Sequence, residues 1–241
     1  MATTAQGRRL TGLHGAVQLR LGLDTVRNLD QLWRLLSDRV LSEDEWVEAV
    51  LVVLGRAHGM SAALARRYYQ AYRVAETGVA VLFDGFPQVT FRSNLARAAL
   101  LQQLATFRRL RDLGVEDAVL KVGRQVQREM VEEVFHGGRR QVIDTVRDDP
   151  VALGWYRVTD GDPCAFCALL ASRGAVYKTQ QSASFGAHPS CGCSAEPAFT
   201  LDKFRDDRSR EWNDLYRTAT RGHRDKLNAF RRAYERPHIN A

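Results

Sequence analysis

All four cysteines of the chain fall between positions 164 and 193, with a histidine among them, and no other stretch limits the fold as tightly. The run from Asp162 to Pro197 reads DPCAFCALLASRGAVYKTQQSASFGAHPSCGCSAEP. Reduced to its ligand-type residues it is C-x2-C, a gap of 20 residues, then H-x2-C-x-C. Zinc takes four ligands drawn from thiolate and imidazole, and a two-residue spacer lets both members of a pair turn onto one ion. Pro163 and Pro189 flank the two groups and stiffen the turns that carry them.

Five residues compete for four places: Cys164, Cys167, His188, Cys191 and Cys193. Cys164 and Cys167 form the first pair, and one of the other three is left over unless a bent C-x-C supplies both thiolates. In a regular strand Cys191 and Cys193 would point to opposite faces. Gly192 between them permits the departure from strand geometry that shared ligation needs.

Other readings of the same residues stay open. Two disulfides would suit an oxidising compartment, for which the sequence gives no sign. A redox C-x-x-C belongs with strand–helix alternation, which is missing here. Buried inert thiols leave the spacing and the histidine unexplained. A catalytic zinc needs an open position and a general base; Glu196 is the one carboxylate close behind the cluster, and five available ligands favour a closed, structural site. A Cys–His dyad using His188 would compete with the metal. His14, His58, His136, His223 and His238 are scattered, and no nucleophile elbow, phosphate loop, H-E-x-x-H helix or dinucleotide fingerprint is present, so no enzyme is expected.

Around this cluster the chain reads as helix. No proline precedes Pro87. Ser42 with Glu45 forms a capping box, followed by Trp46, Ala49, Val50, Val53, Leu54 and Ala57 at helical spacing, and Gly59 is expected to stop the helix. Leu64, Tyr68, Ala71 and Tyr72 suggest a second helix. Ser93 or Asn94 can cap a third, with Leu100, Leu104, Phe107 and Leu110 on one face and Gly114 at its end. A longer stretch from about Asp117 to Val146 keeps the period through Val122, Val126, Met130, Val134 and Phe135, with a bend expected at Gly137–Gly138. Short β-rich pieces, Trp155–Val158 and Ala175–Tyr177, accompany the cysteines. Helix returns with Phe204, Trp212, Leu215, Tyr216 and Ala219, then Leu227, Phe230 and Tyr234. The expected fold is mainly α, with a small zinc-stabilised α+β module of short strands inserted before C-terminal helices. Its divisions are a helical region 1–147, the module 148–200, and charged helices 201–241.

Charge bears on partners. The net charge is +7, and 31 of the 35 basic residues are arginines, which suits an acidic partner or a polyanion. The last segment, 201–236, carries 11 basic against 7 acidic residues, the pattern of a solvated, salt-bridged helix. The N-terminal stretch has no apolar run behind its basic pair, so no secretory signal is expected. The apolar segment Ala49–Leu54 is too short to cross a bilayer, and an aqueous, cytoplasm-like setting follows.

These residues resemble a known family. Gly154-Trp155-Tyr156-Arg157-Val158, then the C-x2-C run with Ser172-Arg173-Gly174 and Tyr177, then His188-Pro189, Cys191, Cys193 and Pro197, closely resemble the phage Mu F-like minor head proteins of tailed phages of actinobacteria. The resemblance covers roughly residues 139–199. It implies a structural component of the virion, assembled in the host bacterial cytoplasm and associated with the portal vertex, that assists head assembly or DNA delivery. Implied partners are the portal and other capsid proteins, further copies of the chain and, by proximity, packaged DNA, with no membrane. A zinc-containing nucleic-acid-binding protein and a capsid-processing hydrolase are the alternatives. The first is weakened because the ligand loop holds only Arg173 and Lys178 as cations.

Overall fold

The computed structural model describes residues 4–80, 86–175, 187, 191–200 and 202–235. Four long helices make the body: α1 (Ala5–Ser37), α2 (Glu43–Thr77), α3 (Ser93–Asp112) and α4 (Ala118–Asp148). Strand β1 (Gly154–Val158), the short helix α5 (Ala165–Ala171) and strand β2 (Ser194–Ala198) follow, then α6 (Asp207–Ala219) and α7 (Lys226–Glu235). The mainly helical expectation is met, with one two-stranded antiparallel sheet among the described residues. Its register sets Gly154 opposite Ala198 and Val158 opposite Ser194.

Helix α1 begins at Ala5. Thr4 caps it by accepting from the Gly7 N–H at 2.9 Å. Its buried face runs Thr11, His14, Gln18, Gly22, Thr25, Leu29, Trp33. The spacing is helical, but the first half is polar or small, so hydrophobic periodicity does not reveal it.

Helix α2 has the expected capping box: Ser42 Oγ accepts from the Glu45 N–H, and Glu45 Oε2 accepts from the Ser42 N–H at 2.8 Å. Gly59 does not stop it. The helix runs on to Thr77, and Gly78, at φ 71°, ends it in the left-handed region. One mid-helix glycine costs about 1 kcal/mol, less than the packing of the following stripe through Ala65, Tyr68, Tyr69 and Tyr72 returns. The six-residue apolar segment thus belongs to a continuous helix that is, by length and composition alone, sufficient to cross a membrane. Core helices of soluble proteins meet the same measure, and here its inner face packs on α1 and α4.

Helix α3 starts at Ser93, but no side chain caps it and Arg92 holds the N-cap position. Nor does Gly137–Gly138 bend α4, which is unbroken to Asp148. The pair serves close approach instead. A Cβ on Gly137 would stand 2.6 Å from the His58 carbonyl oxygen, and one on Gly138 would stand 2.8 Å from Ser61 Oγ. In the space so made, Gly138 N–H donates to Ser61 Oγ (2.9 Å), and Ser61 Oγ donates to Gln18 Oε1 (2.7 Å). The three helices lock there through a satisfied buried polar cluster.

Two apolar clusters organise the body. In the first, Trp33 meets Trp46 and Phe107 edge-to-face. In the second, Tyr69, Tyr72, Val142 and Ile143 receive Trp155 of β1 and Ala195 of β2. Burying one large aromatic of this kind stabilises by about 2–3 kcal/mol. A buried ion pair fixes the turn from α4 into β1: Asp149 Oδ2 accepts from Arg73 Nε (2.8 Å) and from Tyr69 OH (3.0 Å). The cysteine-bearing segment is thereby seated on α2 and α4. Of the expected strand at Ala175–Tyr177, the last two residues lie outside the described residues.

Candidate metal centre

The C-x2-C pair straddles the start of α5. Cys164 is the N-cap, its Sγ accepting from the Cys167 N–H at 3.5 Å, and it is exposed. One turn on, Cys167 points inward and is buried. Cys191 and Cys193 immediately precede β2, whose pairing with β1 brings them back beside α5. The result is a buried group of three sulfurs, Cys167, Cys191 and Cys193, all within 4.8 Å of one another, with Cys167 and Cys191 Sγ atoms 3.5 Å apart. All four cysteines are outside any disulfide.

The backbone carrying the C-x-C is gripped by buried arginine. Arg139 of α4 donates from Nε to the Cys193 carbonyl at 2.8 Å and from Nη2 to the Cys191 carbonyl, while its Nη1 pairs with Glu132. Gly192 N–H donates to Asp160 Oδ2 at 3.2 Å. A Cβ on Gly192 would lie 2.7 Å from that oxygen. Gly192 is absent from the positive-φ residues, so the glycine is needed for this close approach and not for a left-handed backbone. With both carbonyls and the intervening N–H held, the two thiols turn to the same side.

The sulfurs are electrostatically unequal. Hydrogen bonds from Cys167, then Cys193, hold Cys191 far below the ordinary thiol range, and the Arg139 guanidinium adds to this. The shared proton pushes Cys167 upward, first through its bond with Cys191. At Cys193 the Cys167 contact pulls down, but the Cys191 contact and burial outweigh it and leave the thiol at about 11. The Arg157 guanidinium, also buried, lies 3.9 Å from Cys167 Sγ. Such a pocket accepts negative charge on sulfur and suits a thiophilic cation.

The donor set fits a zinc-type ion. Thiolates at about 2.3 Å from a tetrahedral ion stand about 3.8 Å apart, and the three sulfurs are already grouped at that scale. They supply three of four ligands. Cys164 stands outside the group, and His188, with Pro189, lies outside the described residues.

Residues other than the sulfur ligands complete the setting. Glu196, three residues past Cys193, is fully buried. It accepts from Thr11 Oγ1 (2.6 Å) and from Arg205 Nε (3.0 Å). It therefore ties β2 to α1 and to the segment before α6, a structural bond and not a free base. Tyr234 OH donates to the Pro163 carbonyl at 2.6 Å, and Asn213 Nδ2 donates to the Ser172 carbonyl at 3.3 Å. Helices α6 and α7 in this way clamp both ends of α5, while Trp212 and Phe230 cover its apolar side.

Fold and site together define a mainly helical protein in which a small strand pair presents a buried three-cysteine cluster of metal-binding type. Residues 3–219 match the model of the VG15 protein family, and the chain belongs to that family. It is 26% identical over 170 residues to the Gene 15 protein of Mycobacterium phage L5, covering 67% of this chain and 55% of that protein. To the Gene 15 protein of Mycobacterium phage D29 it is 45% identical over 56 residues, 22% of this chain and 20% of the relative. The chain thus spans about half or less of the length of the curated relatives it matches. No solved structure matches it. The phage character implied by the Mu F-like resemblance is supported by these relatives, and the family that matches is VG15.

Proposed function

We propose that the chain is a minor head protein of a tailed phage, a structural component of the virion at the portal vertex that assists head assembly or DNA delivery. Membership in a family with phage Gene 15 relatives supports the phage setting. The Mu F-like pattern from Arg157 to Pro197 supports the head assignment. The site observation carrying the reading is the buried sulfur group of Cys167, Cys191 and Cys193, which we assign to one structural zinc ion. The fourth ligand is Cys164 or His188. An ion held this way supplies folding energy to a module too small to fold on its own core and leaves no open position for catalysis.

Native mass spectrometry of the reduced chain, with thiol titration before and after chelation, tests the metal. One zinc per chain and thiols that react only after chelation are expected; no metal and freely reactive thiols would remove the zinc assignment. Quantitative proteomics of purified particles, with cross-linking to the portal, tests the role. A few copies per virion cross-linked to portal protein are expected. Absence from particles and from procapsids would overturn the head assignment while leaving the metal result standing.

A further inference from the structure

A trough runs along the outside of the body between α1 and α4. Its larger part, about 410 Å³, is walled by Leu19, Leu23 and Val26 of α1 and by Val131 and Phe135 of α4. Gly22 forms its floor, where a Cβ would meet the Phe135 ring at 2.6 Å. Toward the start of α4 it continues into a second hollow of about 370 Å³ that shares Arg124 and Gln127 and reaches Leu120. From Leu120 to Phe135 the trough follows 16 residues of α4, a rise of about 22 Å at about 1.5 Å per residue, or about four turns of a helix. Leu23 and Leu120 are more than half exposed. Contiguous exposed apolar surface of this kind marks an interaction site.

The charges say what fits. Arg124 and Arg128, one turn apart on the α4 wall, are exposed and make no ion pair among the described residues. Across the trough the arginines of α1 are already engaged: Arg20 and Arg27 with Asp24, Arg34 with Asp30. Free positive charge therefore lies along the α4 wall, while the exposed carboxylates Glu116 and Asp117 stand only at the end of the second hollow, before α4 begins. A second copy docking by twofold symmetry would set these arginines either against themselves or against the α1 wall, whose Asp24 and Asp30 already hold arginines. We infer that the trough is a docking site for an amphipathic helix of another protein, one with acidic residues along one flank of its apolar stripe, laid in by the helix-in-groove mode. The surface stands whether or not the portal-vertex role or the metal does.

The test is selection from a displayed library of helices about 16 residues (about 24 Å) long, with a fixed apolar stripe and randomised flanks, on the full chain. Recovered helices are expected to be enriched in Asp and Glu on one flank. They should bind Leu23→Glu and the Arg124→Glu/Arg128→Glu double variant at least about tenfold more weakly, since like-charge juxtaposition costs several kcal/mol. Lysine-flanked versions should regain binding to the double variant, an outcome that a misfolded variant would not give. Recovery of no helix that prefers the wild type to Leu23→Glu would overturn the proposal, as would basic flanks. Self-association of the chain in sedimentation that Leu23→Glu abolishes would give the trough to a second copy instead.

Discussion

Arg139 Nε donates to the carbonyl oxygen of Cys193 at 2.8 Å, joining the middle of α4 to the C-x-C loop 54 residues later. The same guanidinium reaches the Cys191 carbonyl and Glu132, so one buried side chain satisfies two loop carbonyls and a carboxylate.

Replacing Arg139 with Met leaves all three acceptors without this donor. We expect a loss of about 3 kcal/mol of stability, the scale for breaking a buried charged pair from one side. Zinc affinity should fall by about 10–100-fold, as when outer-shell partners of metal ligands are removed. Arg139→Lys keeps the charge but not the planar fork and should recover less than half of the loss. Urea unfolding and competition against a zinc-binding dye read the two effects. Unchanged values in both would mean that the arginine grip is not needed to shape the loop.

Serine at Cys167, Cys191 or Cys193 should each abolish stoichiometric zinc binding. It should also melt the segment that joins β1, α5 and β2, because metal binding energy here acts as folding energy. Cys164→Ser and His188→Ala separate the two candidates for the fourth place: one should lose metal, the other keep it. Metal content after gel filtration and hydrogen exchange across 154–198 provide the readout. Retention of full zinc by all three buried-cysteine variants would end the assignment.

Much of this was legible beforehand, for identifiable reasons. Periodic apolar stripes gave the helices, and the capping box at Ser42–Glu45 gave a start to α2, because both signals are local. Gly59 and Gly137–Gly138 misled because a glycine's effect depends on what lies outside the helix: open space at Gly59, the His58 carbonyl at Gly137. The first half of α1 was hidden by a buried face of Thr11, His14 and Gln18, whose partners Glu196, Tyr68 and Ser61 are distant in sequence. Strand β2 was missed because Ser194–Ala198 holds a proline and a glutamate that only tertiary contacts make acceptable in a buried strand. At the site, ligand types are readable from spacing, whereas the supporting roles of Arg139, Arg157 and Asp160 depend on tertiary contacts with the ligands and their loop.

Buried histidines set an acid limit. Burial lowers His14, stacked on the Tyr68 ring at 4.3 Å, to about 4. His136 is lowered to about 4 by burial and then by Arg92. A folded-state pKa below the unfolded value near 6.5 means that the unfolded chain binds more protons between these limits. The stability they provide is therefore full above about pH 6.5 and lost as pH falls toward 4. For His14, which is buried, this is about 3 kcal/mol over the window; His136 is partly exposed and contributes less. His14→Phe keeps the stacking and should reduce the pH dependence of urea unfolding between about pH 6.5 and 4, leaving the smaller part due to His136. A variant with the parent's full slope would assign the acid sensitivity to other groups.

Two glycine substitutions of identical chemistry should have opposite signs. Gly59 is exposed in mid-α2, and a Cβ there would meet nothing within 4 Å. Gly59→Ala should therefore stabilise by about 0.5–1 kcal/mol, through reduced freedom of the unfolded chain and better helix propensity. At Gly137 the same propensity gain is present, but the added carbon would sit 2.6 Å from the His58 carbonyl oxygen. That atom is backbone, so α2 and α4 must move apart. Overpacking of this kind costs about 1–3 kcal/mol, more than the helix gain, and Gly137→Ala should destabilise. Because α4 also carries Arg139, two residues on, the displacement should weaken the arginine's hold on Cys191 and Cys193 and lower zinc affinity as well. Thermal unfolding of the two variants beside the parent decides it; a rise in Tm for Gly137→Ala would mean that the α2–α4 contact is looser than the 2.6 Å approach implies.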